Sequence, residues 1–493
     1  MKYRKITAVL LGLSLFLTGC GGTAEHKDSK TDNTNITSSQ ELATEPLTEL
    51  TDAPKAPETE PVTVTEAATA APTTEEPQTA AQTVNNTENN NNSGSDEQPQ
   101  ENNSESGNED YQPIVTTAAY VHTEKRTTAC TTTTKHTTTT TTAKATPKDV
   151  LKNMTLKQKV CQMFMVTPEA ITGISPMTEV GNGTKNAMND YPVGGIIYFS
   201  QNLSSRNQIK TMISNTQGFS REACGVGLFI GVDEEGGKVA RCAQNLGTTA
   251  FKPMEQYGKE NNYKTAYDIG ATLAKDLSSL GFNVDFAPVA DVNIDSGNEL
   301  GDRIFSSDAN VVANMVSGVS KGLQDNGVSA TLKHFPGLGA ENGNTHTNST
   351  VIIDRTLEQL RNTEFIPFKK GIDSGTDFIM VGHQSVTSFG DELPCDLSYK
   401  AVTEMLRGEL GFDGIAITDA HQMNTISKVY TSGEAAKLSI KAGMDIILMP
   451  VDYRAAVDEV CRAVESGEIP ESRIDESVMR ILKRKDRLGL LKK

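Results

Sequence analysis

The chain has 493 residues, of which 36% are hydrophobic and 22% are charged, and its formal net charge is −17 at pH 7. Most of the acidic excess lies between residues 21 and 146, so the charge gives no reason to expect a nucleic-acid partner. The remainder of the chain is long enough for one large barrel or two small domains.

The first twenty residues have the layout of an export signal. Lys2, Arg4 and Lys5 precede an apolar run, Ile6–Leu17, which is too short to span a membrane as a helix. The segment that follows, Leu-Thr-Gly-Cys ending at Cys20, resembles the lipobox of bacterial lipoproteins. That resemblance implies a lipid on Cys20 that anchors the protein to the membrane outside the cytoplasm. The alternative is an ordinary signal peptide with an incidental cysteine.

Residues 21–147 are predicted to be a disordered linker. They are rich in Thr, Asn, Glu, Ser and Pro, and their only aromatic residues are Tyr111 and Tyr120, so they cannot form a core. A coil of this length would span roughly 60 Å. The threonine-rich end of the linker is either O-glycosylated or a plain solvated spacer.

Five of the seven cysteines fall in the globular part, at 161, 224, 242, 395 and 461, without any C-x-x-C spacing. This spacing disfavours a zinc site or a redox motif. An odd number of cysteines in a large domain does not require disulfides, so we expect these residues to be mostly buried and apolar.

Residues 148–493 alternate short β-branched apolar runs with amphipathic stretches, which is typical of a parallel βα protein. Eight such runs predict eight strands: Cys161–Val166, Gly195–Phe199, Leu228–Val232, Asn283–Ala287, Ser329–Leu332, Phe378–Val381, Ile415–Thr418 and Ile446–Met449. The predicted helices include Arg206–Ser220, Tyr263–Leu280, Val311–Asp325, Asp354–Ile372, Lys400–Glu409, Gly433–Ala442, Ala455–Glu465 and Arg473–Leu488.

This pattern predicts an α/β fold, a single (β/α)8 TIM-type barrel preceded by the linker. A doubly wound sheet is the alternative, but no Gly-x-Gly-x-x-Gly or phosphate loop follows any predicted strand. In a barrel, the side chains at the carboxyl ends of the strands face the active site. Those ends carry Asp233, Asp285 or Asp291, Lys333 with His334, His383, and Asp419.

The stretch after the fifth predicted strand reads Lys-His-Phe-Pro-Gly-Leu-Gly from Lys333 and continues to Asn-Thr-His at 344–346. It resembles the signature of family 3 glycoside hydrolases in their β-N-acetylhexosaminidase branch. The resemblance extends from about Thr155 to Leu491, and includes Gly-Val-Asp-Glu-Glu-Gly-Gly-Lys-Val-Ala-Arg at 231–241 and Gly-Ile-Ala-Ile-Thr-Asp-Ala at 414–420. It implies a retaining exo-acting hydrolase that needs no metal or other cofactor.

The resemblance assigns the catalytic roles. Asp419 matches the nucleophile that attacks the anomeric carbon, although an aspartate after a strand is also a common helix N-cap. His346 matches the proton donor. The family has an aspartate two residues before this histidine, but this chain has Asn344, which supplies no charge and should weaken His346 as a base. Glu341 is a substitute candidate for the acid, and Leu338 replaces a histidine of the family pattern.

Six positions match residues that bind sugar hydroxyls in the family: Asp233, Arg241, Arg303, Lys333, His334 and His383. Carboxylates and guanidinium groups each hold two adjacent hydroxyls, and their mutual pairing offsets the cost of burial. The alternative for this set is a structural ion-pair network, and the two roles are compatible. Glu234 and Glu235 are expected to support these residues from behind.

The leading interpretation is therefore a lipid-anchored, monomeric β-N-acetylglucosaminidase that removes terminal sugars from carbohydrate such as peptidoglycan fragments. β-Glucosidase, β-xylosidase and phosphorylase activities of the same family stay open. A metal hydrolase that uses His334, His383 and Asp419 lacks any supporting ligand spacing. The substitutions Asn344 and Leu338 motivate a non-catalytic sugar-binding protein as a third alternative.

Overall fold

The computed structural model describes residues 145–340 and 351–491, which form a closed barrel of eight parallel strands. The strands follow one another around the barrel in chain order. They are Phe164–Val166, Gly195–Ile197, Phe229–Val232, Val284–Asp285, Ser329–Phe335, Phe378–Val381, Ile415–Ala420 and Ile446–Leu448. Ile447 of the eighth strand pairs with Phe164 of the first and closes the barrel. The predicted barrel is confirmed and the doubly wound sheet is wrong; the signal segment and nearly all of the predicted linker lie outside the described residues.

Helices surround the strands. The α-helices are Pro147–Asn153, Leu156–Gln162, Pro168–Thr172, Asn182–Asp190, Arg206–Cys224, Arg241–Leu246, Met254–Glu260, Tyr263–Leu280, Ala309–Asp325, Leu357–Asn362, Phe365–Asp373, Asn424–Ser427, Ser432–Ala442, Tyr453–Glu465 and Glu471–Arg487. Lys400–Glu409 is a π-helix, and 3₁₀ turns lie at Ser200–Asn202, Gly301–Arg303, Thr387–Phe389 and Cys395–Leu397. Two small sheets pair Glu234–Gly236 with Val239–Ala240, and Ile352–Ile353 with Ser385–Val386. In 145–340 and 351–491, no helix is both long and apolar enough to cross a bilayer.

The helix Tyr263–Leu280 has the predicted limits. Asn262 caps its first turn by accepting backbone hydrogen bonds, and Gly281 ends it at φ 101°. Its buried face packs closely on the helix Ala309–Asp325. A Cβ atom on Gly270 would come within 2.1 Å of the carbonyl oxygen of Val319, so glycine is what allows this approach.

The single helix predicted at Asp354–Ile372 is wrong, because the structure divides it into Leu357–Asn362 and Phe365–Asp373. Pro367 explains the break. Its ring would clash with the carbonyl four residues earlier, and it has no N–H to donate, so it fits only in the first turn of a new helix. Glu364, at the break, is buried and accepts hydrogen bonds from the Arg355 guanidinium at 2.8 and 3.1 Å.

Two strands extend further than predicted at their carboxyl ends. The fifth continues past Leu332 to Phe335, and the seventh reaches Ala420. Each shifts register against its following neighbour in this added part. Lys333, His334 and Asp419 are therefore held by strands and not by loops. The register shifts fall at these residues, so their side chains do not follow the regular alternation of the strand.

The five cysteines of the described domain are free, and Cys161, Cys242 and Cys395 are buried. Burial raises the pKa of the Cys395 thiol well above its ordinary value, which keeps it protonated and unreactive.

Candidate active site

The carboxyl ends of the barrel strands surround a cavity of about 330 Å³. This volume lies at the small end of the range for ligand pockets and suits a single sugar unit. Most of the residues predicted to bind or attack the sugar line it: Asp233, Arg241, Arg303, Lys333, His334 and Asp419. Phe199, Glu235 and Glu299 line it as well.

Lys333 is the centre of a buried ion-pair network in this cavity. Its ammonium lies 2.9 Å from Asp233 Oδ1 and 2.6 Å from Glu235 Oε1, and its side chain is only 3% exposed. Burial by itself would lower the pKa of Lys333, but the two carboxylates outweigh it and raise that pKa above its usual value. Lys333 is therefore a fixed cation with a third N–H available for a hydroxyl.

Each of the two carboxylates also holds an arginine. Arg303 donates to Glu235 through Nε and Nη2 at 2.7 and 2.8 Å, while Arg241 donates to Asp233 through the same atoms at 3.3 and 3.1 Å. Burial alone would raise the pKa values of Asp233 and Glu235. Lys333 and the arginines outweigh burial, so both carboxyls have lowered pKa values and stay ionised.

A tight hairpin after the third strand places this network. Its two short strands, Glu234–Gly236 and Val239–Ala240, bring Asp233 and Glu235 to the cavity and lead directly into the helix that starts at Arg241. Glu234 points the other way and accepts the N–H groups of Cys242 and Ala243 at 2.6 and 2.9 Å, which caps this helix. Burial raises the pKa of Glu234 to about 7. Glu234 thus supports the site without lining it, as predicted, whereas the same prediction is wrong for Glu235, which lines the cavity.

Asp285 and Asp291 were alternative candidates at the fourth strand, and neither lines the cavity. Asp285 is fully buried and accepts the backbone N–H of Glu234 at 3.0 Å. Asp291 holds His334, because its Oδ2 lies 2.8 Å from His334 Nδ1 and 3.0 Å from the His334 backbone nitrogen. His334 Nδ1 therefore carries the proton, and Nε2 remains for a ligand.

Leu338 packs into an apolar cluster. The buried side chains around it are Val289, Leu300, Ile304 and Val351. Its backbone N–H donates to Asp291 Oδ1 at 2.6 Å, so the loop after the fifth strand is tied to the same aspartate that orients His334. A leucine at this position thus gives one wall of the cavity an apolar surface.

Asp419 stands near the end of the seventh strand, and its Oδ1 accepts the backbone N–H of Ala420 at 2.7 Å. The N-cap alternative for Asp419 is wrong, because the next helix begins at Asn424 and its N-cap is Met423. The carboxylate faces the cavity on a rigid element. This arrangement is what a nucleophile needs, since it holds the attacking oxygen close to a bound sugar.

His383 was predicted to contact the sugar, and the structure contradicts this prediction. The ring is buried and does not line the cavity. Both of its nitrogens already face protein acceptors, with Nδ1 3.0 Å from Asp396 Oδ1 and Nε2 3.0 Å from the Ala420 carbonyl oxygen. His383 therefore acts on the chain next to Asp419 and not on the ligand. Within 145–340 and 351–491, no three His, Cys, Asp or Glu side chains are grouped to hold a metal ion.

The family model described as glycosyl hydrolase family 3 N terminal domain matches residues 155–484. The chain belongs to glycosyl hydrolase family 3. It is 30% identical to the beta-hexosaminidase A of Pseudoalteromonas piscicida over 63% of this chain and 56% of that protein. Its fold superposes on a family 3 beta-N-acetylglucosaminidase from Paenibacillus with a TM-score of 0.64 and 36% identity, over 68% of this chain and 63% of that one. The beta-N-acetylhexosaminidase of Beutenbergia cavernae gives a TM-score of 0.61 and 26% identity, over 68% and 99% of the two chains.

The chain thus spans only part of the length of the first two of these relatives. Three residues that the family resemblance singled out, Glu341, Asn344 and His346, fall in 341–350 and lie outside the described residues. Sequence reasoning missed two buried residues behind this site, Asp396 and His421, whose side chains hydrogen-bond to each other, with Asp396 Oδ2 2.9 Å from His421 Nε2. No motif marks them, because Asp396 lies in a short 3₁₀ turn after Pro394 and His421 is simply two residues beyond Asp419.

Proposed function

We propose that this family 3 glycoside hydrolase is a retaining exo-β-N-acetylglucosaminidase that removes terminal N-acetylglucosamine. The observation that carries the proposal is the cavity itself, which suits one sugar unit and combines Asp419 with a buried network of ionised groups. The names of the hexosaminidase and N-acetylglucosaminidase relatives support the choice of sugar.

In the proposed reaction, the Asp419 carboxylate attacks the anomeric carbon and forms a covalent glycosyl-enzyme, while the leaving oxygen takes a proton from His346. Water then cleaves the glycosyl ester, and the group that gave the proton takes one from that water. Lys333, Arg241 and Arg303 hold the hydroxyls. They are pre-oriented by carboxylates, so binding the sugar requires little side-chain ordering.

The test is hydrolysis by the purified protein of nitrophenyl β-glycosides of N-acetylglucosamine, glucose and xylose, with and without inorganic phosphate. We expect cleavage of the N-acetylglucosaminide with retention of configuration and no acceleration by phosphate. Preference for the glucoside or xyloside would refute the sugar assignment, and formation of a sugar 1-phosphate would replace hydrolysis by phosphorolysis. Binding of N-acetylglucosamine with no turnover of any substrate would favour a sugar-binding protein.

We further propose that the protein is a monomer tethered by a lipid on Cys20 to the outer side of the cytoplasmic membrane, where peptidoglycan fragments are accessible. The basic start, the short apolar run and the cysteine after a small residue support this location. Replacing Cys20 with alanine should release the protein from the membrane fraction, because the lipid supplies the anchor. Continued membrane fractionation of Cys20→Ala would contradict the anchor.

A further inference from the structure

Behind Asp419 lies a buried cluster of one carboxylate and two imidazoles. Asp396 sits in the turn Cys395–Leu397 and is fully buried, as are His383, after the sixth strand, and His421, after the seventh. Asp396 Oδ1 lies 3.0 Å from His383 Nδ1, and Oδ2 lies 2.9 Å from His421 Nε2. The second nitrogen of His383 reaches the carbonyl oxygen of Ala420 at 3.0 Å.

The contacts define the protonation states. Both nitrogens of His383 face acceptors, so both carry hydrogens and the ring is an imidazolium. Burial would lower the pKa of His383, but the Asp396 carboxylate outweighs it and raises that pKa to about 9. Burial lowers the pKa of His421, which is therefore neutral and donates its Nε2 proton to Asp396.

We propose that Asp396, His383 and His421 form a clamp that fixes the two residues after Asp419 and thereby aims its carboxylate at the sugar. His383 donates to the carbonyl oxygen of Ala420. The His421 ring donates to Asp396, and the backbone N–H of His421 donates to the carbonyl oxygen of Leu448. The N–H of Ala420 in turn donates to Asp419. The three are positioning residues, and their role rests on the proposed function, since it requires a nucleophile to aim.

A structural role alone explains the cluster poorly. A buried charged pair gives little or no net stability relative to well-packed apolar side chains. Here the pair contributes direction instead, because two of its hydrogen bonds end on Ala420 and His421, the two residues that follow Asp419. A misplacement of about 1 Å near the reacting atoms lowers rates by about 100-fold, so precise support at this point has a large kinetic effect.

The test is the Asp396→Asn variant, which keeps the shape but removes the charge and one of the two acceptors. The substrate is the dinitrophenyl β-N-acetylglucosaminide, whose leaving group needs no proton, so kcat/KM reports attack by Asp419 and not the proton donor. We expect kcat/KM to fall about 100-fold. Inhibition by free N-acetylglucosamine should stay within about threefold, because the contacts of Lys333 and Asp233 are intact.

A pH profile separates the clamp from mere support of the fold. For the wild type, kcat/KM on the same substrate should fall as pH rises through about 9, since neutral His383 cannot donate to both acceptors. Asp396, Asp419 and the Ala420 carbonyl raise the pKa of His383 against burial, and the charge of His383 in turn helps to lower the pKa of His421. Burial and the charge of Asp396 raise the pKa values of Cys395 and Tyr430 above their ordinary ones, so both side chains keep their protons in this pH range.

Asp445→Asn is the matched control. Asp445 is also fully buried and holds Arg407 at 2.5 Å, but it precedes the eighth strand, at the opposite end of the barrel from the cavity. It should lower thermal stability and leave kcat/KM of the folded enzyme unchanged. Equal losses of kcat/KM in Asp396→Asn and Asp445→Asn, or wild-type kcat/KM in folded Asp396→Asn, would overturn the clamp.

A conservative pair of variants covers the case in which Asp396→Asn does not fold. His421→Gln retains an N–H that reaches Asp396 and should keep several-fold more kcat/KM than His421→Leu, which has none. Equal activity of the two folded variants would overturn the clamp. If the wild type cleaves only another dinitrophenyl glycoside, the proposed sugar is wrong and the clamp is measured on that glycoside; if it cleaves none, both proposals are wrong.

Discussion

Glu235 is a residue whose charge should determine both sugar binding and stability, and Glu235→Gln tests this. In the wild type its two oxygens serve two cations, Lys333 at 2.6 Å and Arg303 at 2.7 and 2.8 Å, and its side chain is 2% exposed. The amide of glutamine offers one acceptor and replaces the other with an N–H that faces a cation. We therefore expect one of the two cations, Lys333 or Arg303, to lose its hydrogen bond to residue 235, although both side chains remain at the mouth of the barrel.

The size of the effect follows from these contacts. Removing one partner of a buried ion pair lowers the free energy of unfolding by about 3–5 kcal/mol. Because glutamine retains one acceptor, we expect Glu235→Gln to lower it by about 3 kcal/mol. Unfolding entropy of about 2.1 cal/mol/K per residue gives about 0.7 kcal/mol/K for about 350 residues, so Tm should fall by about 4 °C. Loss of one charge-assisted hydroxyl contact, about 2 kcal/mol, should lower kcat/KM roughly 30-fold.

The assays are scanning calorimetry and hydrolysis of nitrophenyl β-N-acetylglucosaminide. Glu409→Gln is the matched control, because Glu409 also binds an arginine, Arg361, through two hydrogen bonds of 2.6 and 2.9 Å, but at the surface. It should change stability by less than about 1 kcal/mol and leave activity unchanged. If Glu235→Gln keeps both the Tm and the kcat/KM of the wild type, the network does not hold the sugar-binding cations.

Three further predictions concern the same site. Asp419→Ala should abolish turnover and leave Tm near that of the wild type. A mechanism-based fluoro-sugar should label Asp419 in the wild type, and mass-spectrometric mapping of the label to another carboxylate would assign the nucleophile to that residue instead. Asn344→Asp should raise kcat modestly, because a carboxylate there favours the imidazolium of His346, and an unchanged rate would contradict this role. The raised pKa of His383, about 9 against an ordinary 6.5, gives stability that is fully present below pH 6.5 and is lost as pH rises through 9. Urea unfolding at pH 6 and pH 9.5 should show a loss of about 3 kcal/mol in the wild type that is absent in His383→Gln.

The sequence by itself determined the barrel and the places where its chemistry is found. Eight β-branched runs separated by amphipathic stretches require a parallel sheet covered by helices, and the eight strands appear where those runs predicted them. The carboxyl ends of parallel strands converge, so Asp233, Lys333 and Asp419 had to meet once the strands were placed. Local chemistry also set helix limits, as Asn262 and Gly281 show.

Only the tertiary structure decided which side chains pair. Glu235 and Arg303 are 68 residues apart, and nothing in the local pattern of either one specifies the other. His383 illustrates the difference most clearly, because its position after a strand predicted a sugar contact, whereas Asp396 and the Ala420 carbonyl turn its ring toward the protein. Periodicity and turn chemistry depend on neighbours in the chain, so they can be read from the sequence. The direction of a buried polar side chain depends on which distant acceptor the fold brings within about 3 Å of it, and this is decided only when the barrel closes.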